Sequence, residues 1–259
     1  MKKTLKSVFS LFGISSTVYG KNKLEWRAYN EELNELKRQK GEDATFYFGK
    51  SYPILGDRYS NAGTLNGHYF HQDLYVARRI YINNPVRHID VGSRIDGFVA
   101  HVAVFRTIEI FDIRKQNSKV KNIIFQQADL MQLPGRMINY CDSISSLHAI
   151  EHFGLGRYGD PIDYWGYIKG LKNITMILKK GGRFYFSVPI GSQRIEFNAH
   201  RVFSVKYLVD ILKDDFDIER FSYVDDNGDF CEDAQLTENS IESNFNCNHG
   251  CGIFELLKK

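Results

Sequence analysis

From Val86 onward the chain alternates short apolar runs with amphipathic ones, and this rhythm restricts the possible fold more than any other feature. VRHIDVG (86–92) reads as a strand that runs into glycine, and IDGFVAHVAVF (95–105) as a buried helix. TIEIFDIR (107–114), NIIFQQADL (122–130) and DSISSLHAI (142–150) read as the next three strands. DYWGYIKGLKNITMILKK (163–180) puts Trp165, Ile168, Leu171, Ile174, Ile177 and Leu178 on one helical face, closed by Gly181-Gly182. GRFYFSVPI (182–190) is a fifth strand, and SVKYLVDILKD (204–214) is a helix opened by a Ser204 cap. FDIERFSYV (216–224) and CGIFELLK (251–258) are the last two strands, separated by the polar stretch 225–250. Such alternation demands crossover connections. The expected fold is therefore α/β: Rossmann-like, doubly wound, with a mostly parallel seven-stranded sheet and an antiparallel last strand. A ligand of such a sheet lies beyond the carboxyl ends of the strands.

Upstream, residues 21–40 are charged and free of Gly and Pro, which predicts a solvent-facing helix, and residues 41–67 look irregular. Residues 68–83 place Phe70, Leu74, Ala77, Ile80 and Tyr81 at helical spacing, stopped by Asn84-Pro85. His68 and His71 allow a lid over a cofactor, but part of a packed face of that helix is the expected reading. The expected division is a basic helical extension over 1–67 and an α/β domain over 68–259. Nine of the Lys/Arg, against four Glu, fall in residues 1–40, whereas the whole chain carries only +3. The core is thus not basic, and no aromatic–basic repeat of the kind that stacks bases is present, so nucleic acid is not an expected partner. Leu5, Val8, Phe9 and Phe12 share a helical face beside Lys2, Lys3 and Lys6, which allows a weak peripheral membrane contact. No apolar run is long enough for a transmembrane helix, and Lys6 interrupts a signal-peptide reading. Four cysteines in 259 residues do not make a disulfide framework, which fits a reduced, cytoplasmic protein. Cys247-Asn-His249-Gly-Cys251 groups three soft ligands but lacks a fourth at familiar spacing.

The strand ends carry the chemistry. Asp90-Val91-Gly92-Ser93 closes the first strand, and a helix with Gly97 near its start follows. Glycine there lets a ligand approach the backbone, and a helix start offers free N–H groups. Asp112, 20 residues after Gly92, is spaced to accept both hydroxyls of a ribose. These two features suit an adenosine-type ligand and do not separate a nicotinamide dinucleotide from S-adenosylmethionine. Further on, Asp129-Leu130 follows the third strand, and Leu147-His148-Ala149-Ile150-Glu151-His152 follows the fourth.

Taken in order, strand–Asp90-x-Gly92–helix, strand–Asp112, Asp129-Leu130 through Pro134, a strand ending in Glu151-His152, and LKKGGRFYFSVP (178–189) resemble the class I S-adenosylmethionine-dependent methyltransferases. The blocks HIDVGSRIDGFVAHV, LHAIEHFGLGRYGDPID and FSVPIGSQRIEFNAHRVFS resemble, more narrowly, a methyltransferase-like family whose bacterial members accompany surface-polysaccharide genes. The resemblance covers residues 68–258. It implies S-adenosyl-L-methionine as cofactor, with Asp90, Gly92, Ser93 and Gly97 among the residues that bind it and Gly92 and Ser93 bordering the methionine moiety. Asp112 would then hold the ribose, Asp129 and Leu130 the adenine, and the backbone near His148 would flank the adenosine. One departure stands out: Arg94 and Asp96 occupy the second and third glycine positions of the usual acid-x-Gly-x-Gly-x-Gly loop.

On the acceptor side, His200, His152 and Glu151 are the candidate catalytic residues, because O-methylation needs a base for the hydroxyl proton. His200 is favoured for its place in the loop after the fifth strand. Asp160, Asn198 and Arg201 are the candidate substrate contacts, hydroxyl-binding types for which the resemblance implies a sugar or nucleotide-sugar acceptor. His148-Ala-Ile-Glu151-His152 also spells H-x-x-E-H, the motif of inverted zinc peptidases. That motif needs both histidines on one helix, and here it opens at the end of a strand, so no metal is expected on His148 and His152. A nicotinamide-dependent oxidoreductase and a non-catalytic interaction protein with the same fold are the remaining alternatives.

Overall fold

The structure, a computed structural model, describes residues 16–132 and 137–259. The amphipathic stretch 1–12 and the Leu133-Pro134 end of the segment that opens at Asp129-Leu130 lie outside the described residues. The chain divides into two compact units between Thr64 and Leu65. In the first, helix α1 (Ser16–Lys40) ends in Lys37, Arg38 and Lys40, cations that complement the helix C-terminus. Beyond it the segment is irregular except for a 3-10 turn at Asp57–Tyr59, whose Arg58 pairs with Glu32. No described helix is long and apolar enough to cross a membrane.

The second unit opens with α2 (His68–Asn83). Asn84 ends it in the left-handed region, its N–H donating to the Ile80 carbonyl, and Pro85 follows. Its buried face is Asp73, Val76, Ala77 and Ile80, while Leu74 and Tyr81 face outward. The stripe expected from the sequence is therefore rotated, because Gln72 and Asp73 are buried for polar reasons that hydrophobic spacing does not register. Strands β1 (His88–Val91), β2 (Ile108–Asp112), β3 (Ile123–Gln127), β4 (Cys141–Leu147), β5 (Leu178–Ile190), β8 (Phe216–Val224), β9 (Phe230–Cys231) and β10 (Gly250–Lys258) form one sheet in the order β3-β2-β1-β4-β5-β10-β8-β9. β1 to β5 run parallel, and β10 lies antiparallel between β5 and β8. The seven expected strands are all present, and β9 adds an eighth at the edge. β6 (Arg194–Glu196) and β7 (His200–Val202) make a separate antiparallel pair where a loop was expected.

Period-two burial sorts each strand. Ile89, Val91, Ile144, Phe184 and Phe186 face α4 (Gly166–Ile177) and α5 (Val205–Leu212), whereas Ile108, Ile110, Leu147 and Tyr185 face α2 and the helix after β1. That helix, α3, is a wide π-turn over Ile95–Val99 that tightens to α over Ala100–Ala103. α5 begins on the expected cap, Ser204 Oγ accepting from the Tyr207 N–H at 3.3 Å. α4 stops at Ile177, earlier than its apolar stripe predicts. The N–H groups of Asn139 and Tyr140 take the carbonyls of Met176 and Ile177, and the Lys258 ammonium takes those of Thr175 and Leu178. With its last carbonyls satisfied from outside, the helix has no need of the glycine pair, and Leu178 starts β5. A short capped helix, α6 (Glu238–Glu242), with a Thr237/Ser240 capping box, lies in the polar stretch before β10.

Candidate active-site cleft

Where β1 to β4 end, a cleft opens, the place where ligands of such sheets bind. Gly92, Asp112, Asp129, Leu130, His148, Ala149, His152, Tyr158 and Asp160 line it. Gly92 has φ +72, and a Cβ there would stand 3.0 Å from the Ala149 Cβ. The turns after β1 and β4 therefore approach so closely that glycine is required. His148 adopts φ +49, a strained value for a side-chain-bearing residue, as the chain leaves β4 for the 3-10 turn Ile150–His152.

The structure brings the expected adenosine residues Gly92, Asp112, Asp129, Leu130 and His148 together on this one cleft. Asp112 is buried, and both its oxygens are engaged by Arg114: Nε donates to Oδ1 at 3.0 Å and Nη2 to Oδ2 at 2.6 Å, with the Arg114 N–H also on Oδ1. Arg114 in turn lies over the Tyr158 ring, 4.4 Å from its centroid. Asp129 accepts only from the Met131 N–H among the described residues, leaving lone pairs toward the cleft.

Other expected residues do different work. Asp90 and Ser93 are fully buried behind the cleft, where Asp90 accepts from the Ser93 N–H, the Ser93 hydroxyl and the Ser145 hydroxyl, and Ser93 Oγ accepts from the Leu147 N–H. They tie β1 to β4 and do not line the cleft. Gly97 also lies off it: a Cβ there would meet Asp73 Oδ2 at 2.3 Å, so the glycine permits the contact of α3 with α2. Arg94 turns outward, paired with Asp96 and stacked on Tyr69, and leaves the cleft open. Arg201, expected to bind an acceptor, is 4% exposed and donates to the carbonyls of Glu151, Phe153 and Tyr164. Asp160 lines the cleft, but its carboxylate accepts the N–H groups of Gly154, Gly156 and Tyr158. Asn198 is exposed in the β6–β7 connection, away from the cleft.

The three candidate catalytic residues separate as well. His152 is on the cleft, its Nδ1 2.6 Å from the Ala199 carbonyl, which fixes Nδ1 as the donor and leaves Nε2 with a lone pair 3.7 Å from Glu151 Oε1. Burial lowers its pKa, against the opposing pull of Glu151, so the imidazole is neutral near neutral pH. Glu151 is fully buried. Burial pushes its pKa up, but the hydrogen bond and the charge of His148 hold it below the usual value. His200 sits off the cleft at the start of β7, 3.0 Å from Glu196 Oε2 and 3.2 Å from His249 Nε2. The preference for His200 over His152 thus does not survive the geometry.

Arg114 and Tyr158 line the cleft without having been expected there, while His68, His249 and Cys251 gather beside it around His148. Arg114 and Tyr158 carry no spacing signal, since their relevance comes from facing each other across the cleft. His68 stacks on His148, ring centroids 5.2 Å apart, and on His249 at 5.7 Å. Cys251 and His249 do belong to the soft-ligand run visible in the sequence, while His68 is distant from both in the chain.

No curated protein matches the chain. Solved structures share its fold. The 1,6-didemethyltoxoflavin-N1-methyltransferase of Burkholderia thailandensis, solved with 1,6-didemethyltoxoflavin and S-adenosylhomocysteine, is 13% identical with a TM-score of 0.51 over 90% of each chain. The N-methyltransferase NodS from Bradyrhizobium japonicum WM9 is 10% identical with a TM-score of 0.51, covering 73% of this chain and 96% of its own. The [4+2]-cyclase SpnF is 15% identical with a TM-score of 0.50, covering 73% of this chain and 80% of its own, so the fold by itself does not fix the reaction. A family model described as Caenorhabditis protein of unknown function, DUF268, matches residues 99–247, more than half of the length. A chain with the methyltransferase fold and that match belongs to the DUF268 family.

Proposed function

We propose that this chain is an S-adenosylmethionine-dependent methyltransferase acting on a hydroxyl of a sugar or nucleotide-sugar, in the manner of surface-polysaccharide synthesis. The observation that carries the reading is the convergence of Gly92, Asp112, Asp129 and the neutral imidazole of His152 on one cleft at the carboxyl ends of β1 to β4. The residues present suit the cofactor. The bare backbone at Gly92 admits a ligand where a side chain would fill the space. Asp112 would accept the ribose hydroxyls and Asp129 the adenine amine, with Leu130 and Ala149 as apolar walls. Binding asks one change, that Arg114 release oxygen atoms of Asp112.

When bound, S-adenosylmethionine supplies an electrophilic methyl group. The chain's own task is to place an acceptor oxygen in line and remove its proton. His152 Nε2 is the base: the Ala199 carbonyl fixes the tautomer, and Glu151 stabilises the imidazolium that forms. The sugar acceptor rests on the resemblance of the three sequence blocks, since Arg201 and Asp160 are occupied by backbone groups.

Calorimetry should show binding of S-adenosylmethionine and S-adenosylhomocysteine; binding of NAD alone would sink this reading in favour of an oxidoreductase. A screen of nucleotide sugars and glycans with methyl-labelled cofactor should then find an acceptor. On that acceptor His152→Ala should lower turnover by about 10²–10⁴-fold while leaving cofactor affinity near the wild-type value. The second reading, a non-catalytic protein that keeps the fold, is favoured by the Arg114 side chain on Asp112. It predicts no binding of either sulfur nucleoside.

A further inference from the structure

We propose that His68, His148 and Cys251 form a zinc site beside the cleft. Each offers one ligand atom, and the three atoms lie within 4.8 Å of one another. Tetrahedral zinc with two imidazoles and a thiolate holds its ligand atoms about 3.3–3.7 Å apart, so small side-chain movements complete the site. Two imidazole nitrogens and one sulfur are the donors zinc selects over magnesium or calcium. The ligands come from the first turn of α2, the end of β4 and the start of β10, three elements that the fold already fixes.

A second observation points to the ion independently of that clustering. The His148 side chain is 6% exposed, yet its Nε2 has no hydrogen-bond partner. Its Nδ1 is 2.8 Å from Glu151 Oε1. A carboxylate on one ring nitrogen orients the ring, and a metal that displaces the proton of the other nitrogen takes its lone pair, the arrangement that second-shell acids give to zinc-binding histidines. Cys251 is fully buried, and its thiol donates long hydrogen bonds to Gln72 Oε1 at 3.6 Å and the Gly252 carbonyl at 4.0 Å, a proton that a metal would displace. Buried polar atoms without partners are uncommon because leaving them so is costly. A zinc ion satisfies the nitrogen and takes the sulfur as a thiolate.

This site is not that of the H-x-x-E-H peptidases. His148 lies at a strand end and His152 in a 3-10 turn with its Nδ1 on a carbonyl, so the two do not act as joint ligands. Nor is it the compact Cys-Asn-His-Gly-Cys set, of which only Cys251 takes part. Three protein ligands leave a fourth coordination position, and His148 itself lines the cleft. The site does not depend on the methyl-transfer reading.

The test uses the full chain, stripped with a chelator under reducing conditions and titrated with Zn²⁺ and, separately, Co²⁺. One ion per chain should bind, and cobalt should show a thiolate charge-transfer band with the intense visible bands of a tetrahedral site. Cys251→Ser should abolish the thiolate band, whereas Cys231→Ser and Cys247→Ser should keep it. Should Cys251→Ser fail to fold, His68→Ala, at the first residue of α2, should still weaken zinc binding and alter the cobalt spectrum. Glu151→Gln should weaken zinc binding by about 10–100-fold with the band retained. Absence of stoichiometric metal overturns the proposal, as does a thiolate band that survives both Cys251→Ser and His68→Ala.

Discussion

Arg114 is the residue on which cofactor binding turns. It holds the carboxylate that a ribose would need, yet its own side chain is 51% exposed, so the pair contributes below about 1 kcal/mol. Removing the acid and removing the base should therefore have opposite effects. Asp112→Ala should weaken binding of S-adenosylhomocysteine by roughly 1–3 kcal/mol, because buried hydroxyls lose a charged acceptor. Arg114→Ala should tighten it, by up to about fivefold, because Asp112 is freed. Calorimetry of the two variants decides the matter: weaker binding in Arg114→Ala would mean that the guanidinium touches the ligand. At this scale Gly92, Asp112 and Asp129 were legible in the sequence, since each follows its own strand at a fixed local spacing. His68 and Cys251 were not, because they meet only through the sheet order that places β10 beside β5. Arg201 was misjudged for another reason: the sequence names a guanidinium but not its burial, and burial turned an acceptor contact into a backbone clamp.

Elements with a strong internal pattern were legible, and those made by their neighbours were not. β8 and α2 span the residues expected of them, although the buried stripe of α2 is rotated. The end of α4 was set by Asn139, Tyr140 and Lys258 from outside the helix, and β9 and α6 are too short and polar to stand out. The β6–β7 pair matters most for the site, since it carries Arg201 to the turn after β4. Its guanidinium spans the carbonyls of Glu151, Phe153 and Tyr164 and so fixes the segment that presents His152. Arg201→Ala should cost roughly 2–4 kcal/mol of stability by leaving buried carbonyls unpaired, and Arg201→Lys should recover little of it, because one ammonium lacks the planar fork. Urea unfolding of both variants measures this. Wild-type stability combined with weakened acceptor binding would return Arg201 to the role of a substrate contact.

For the molecule as a whole, the α/β pattern was legible because apolar strands alternate with amphipathic helices, but the polar thread inside the sheet was not. His88 Nδ1 lies 2.7 Å from Ser143 Oγ and its Nε2 3.2 Å from Ser145 Oγ, which donates in turn to Asp90. Burial, with the nearby Arg106 charge, pushes the His88 pKa down to about 3, and burial pushes Asp90 up to about 6 against the hydrogen bonds of Ser145 and Ser93. The consequences for stability have opposite signs. An unfolded chain takes up the His88 proton near pH 6.5 while the folded one does not, so His88 costs stability as pH falls from about 6.5 toward 3. Asp90 takes up its proton more readily in the folded state, so it adds stability as pH falls from about 6 toward 3.8. The two largely offset each other in that window, and the wild-type curve hides them. Substitution exposes them. Relative to wild type, His88→Asn should gain about 1.4 kcal/mol per pH unit between about pH 6 and 4, and Asp90→Asn should lose a similar amount over the same range. Urea unfolding of the three proteins at several pH values reads both slopes. Parallel curves would mean that the thread is hydrated and its ionisable groups titrate at ordinary values.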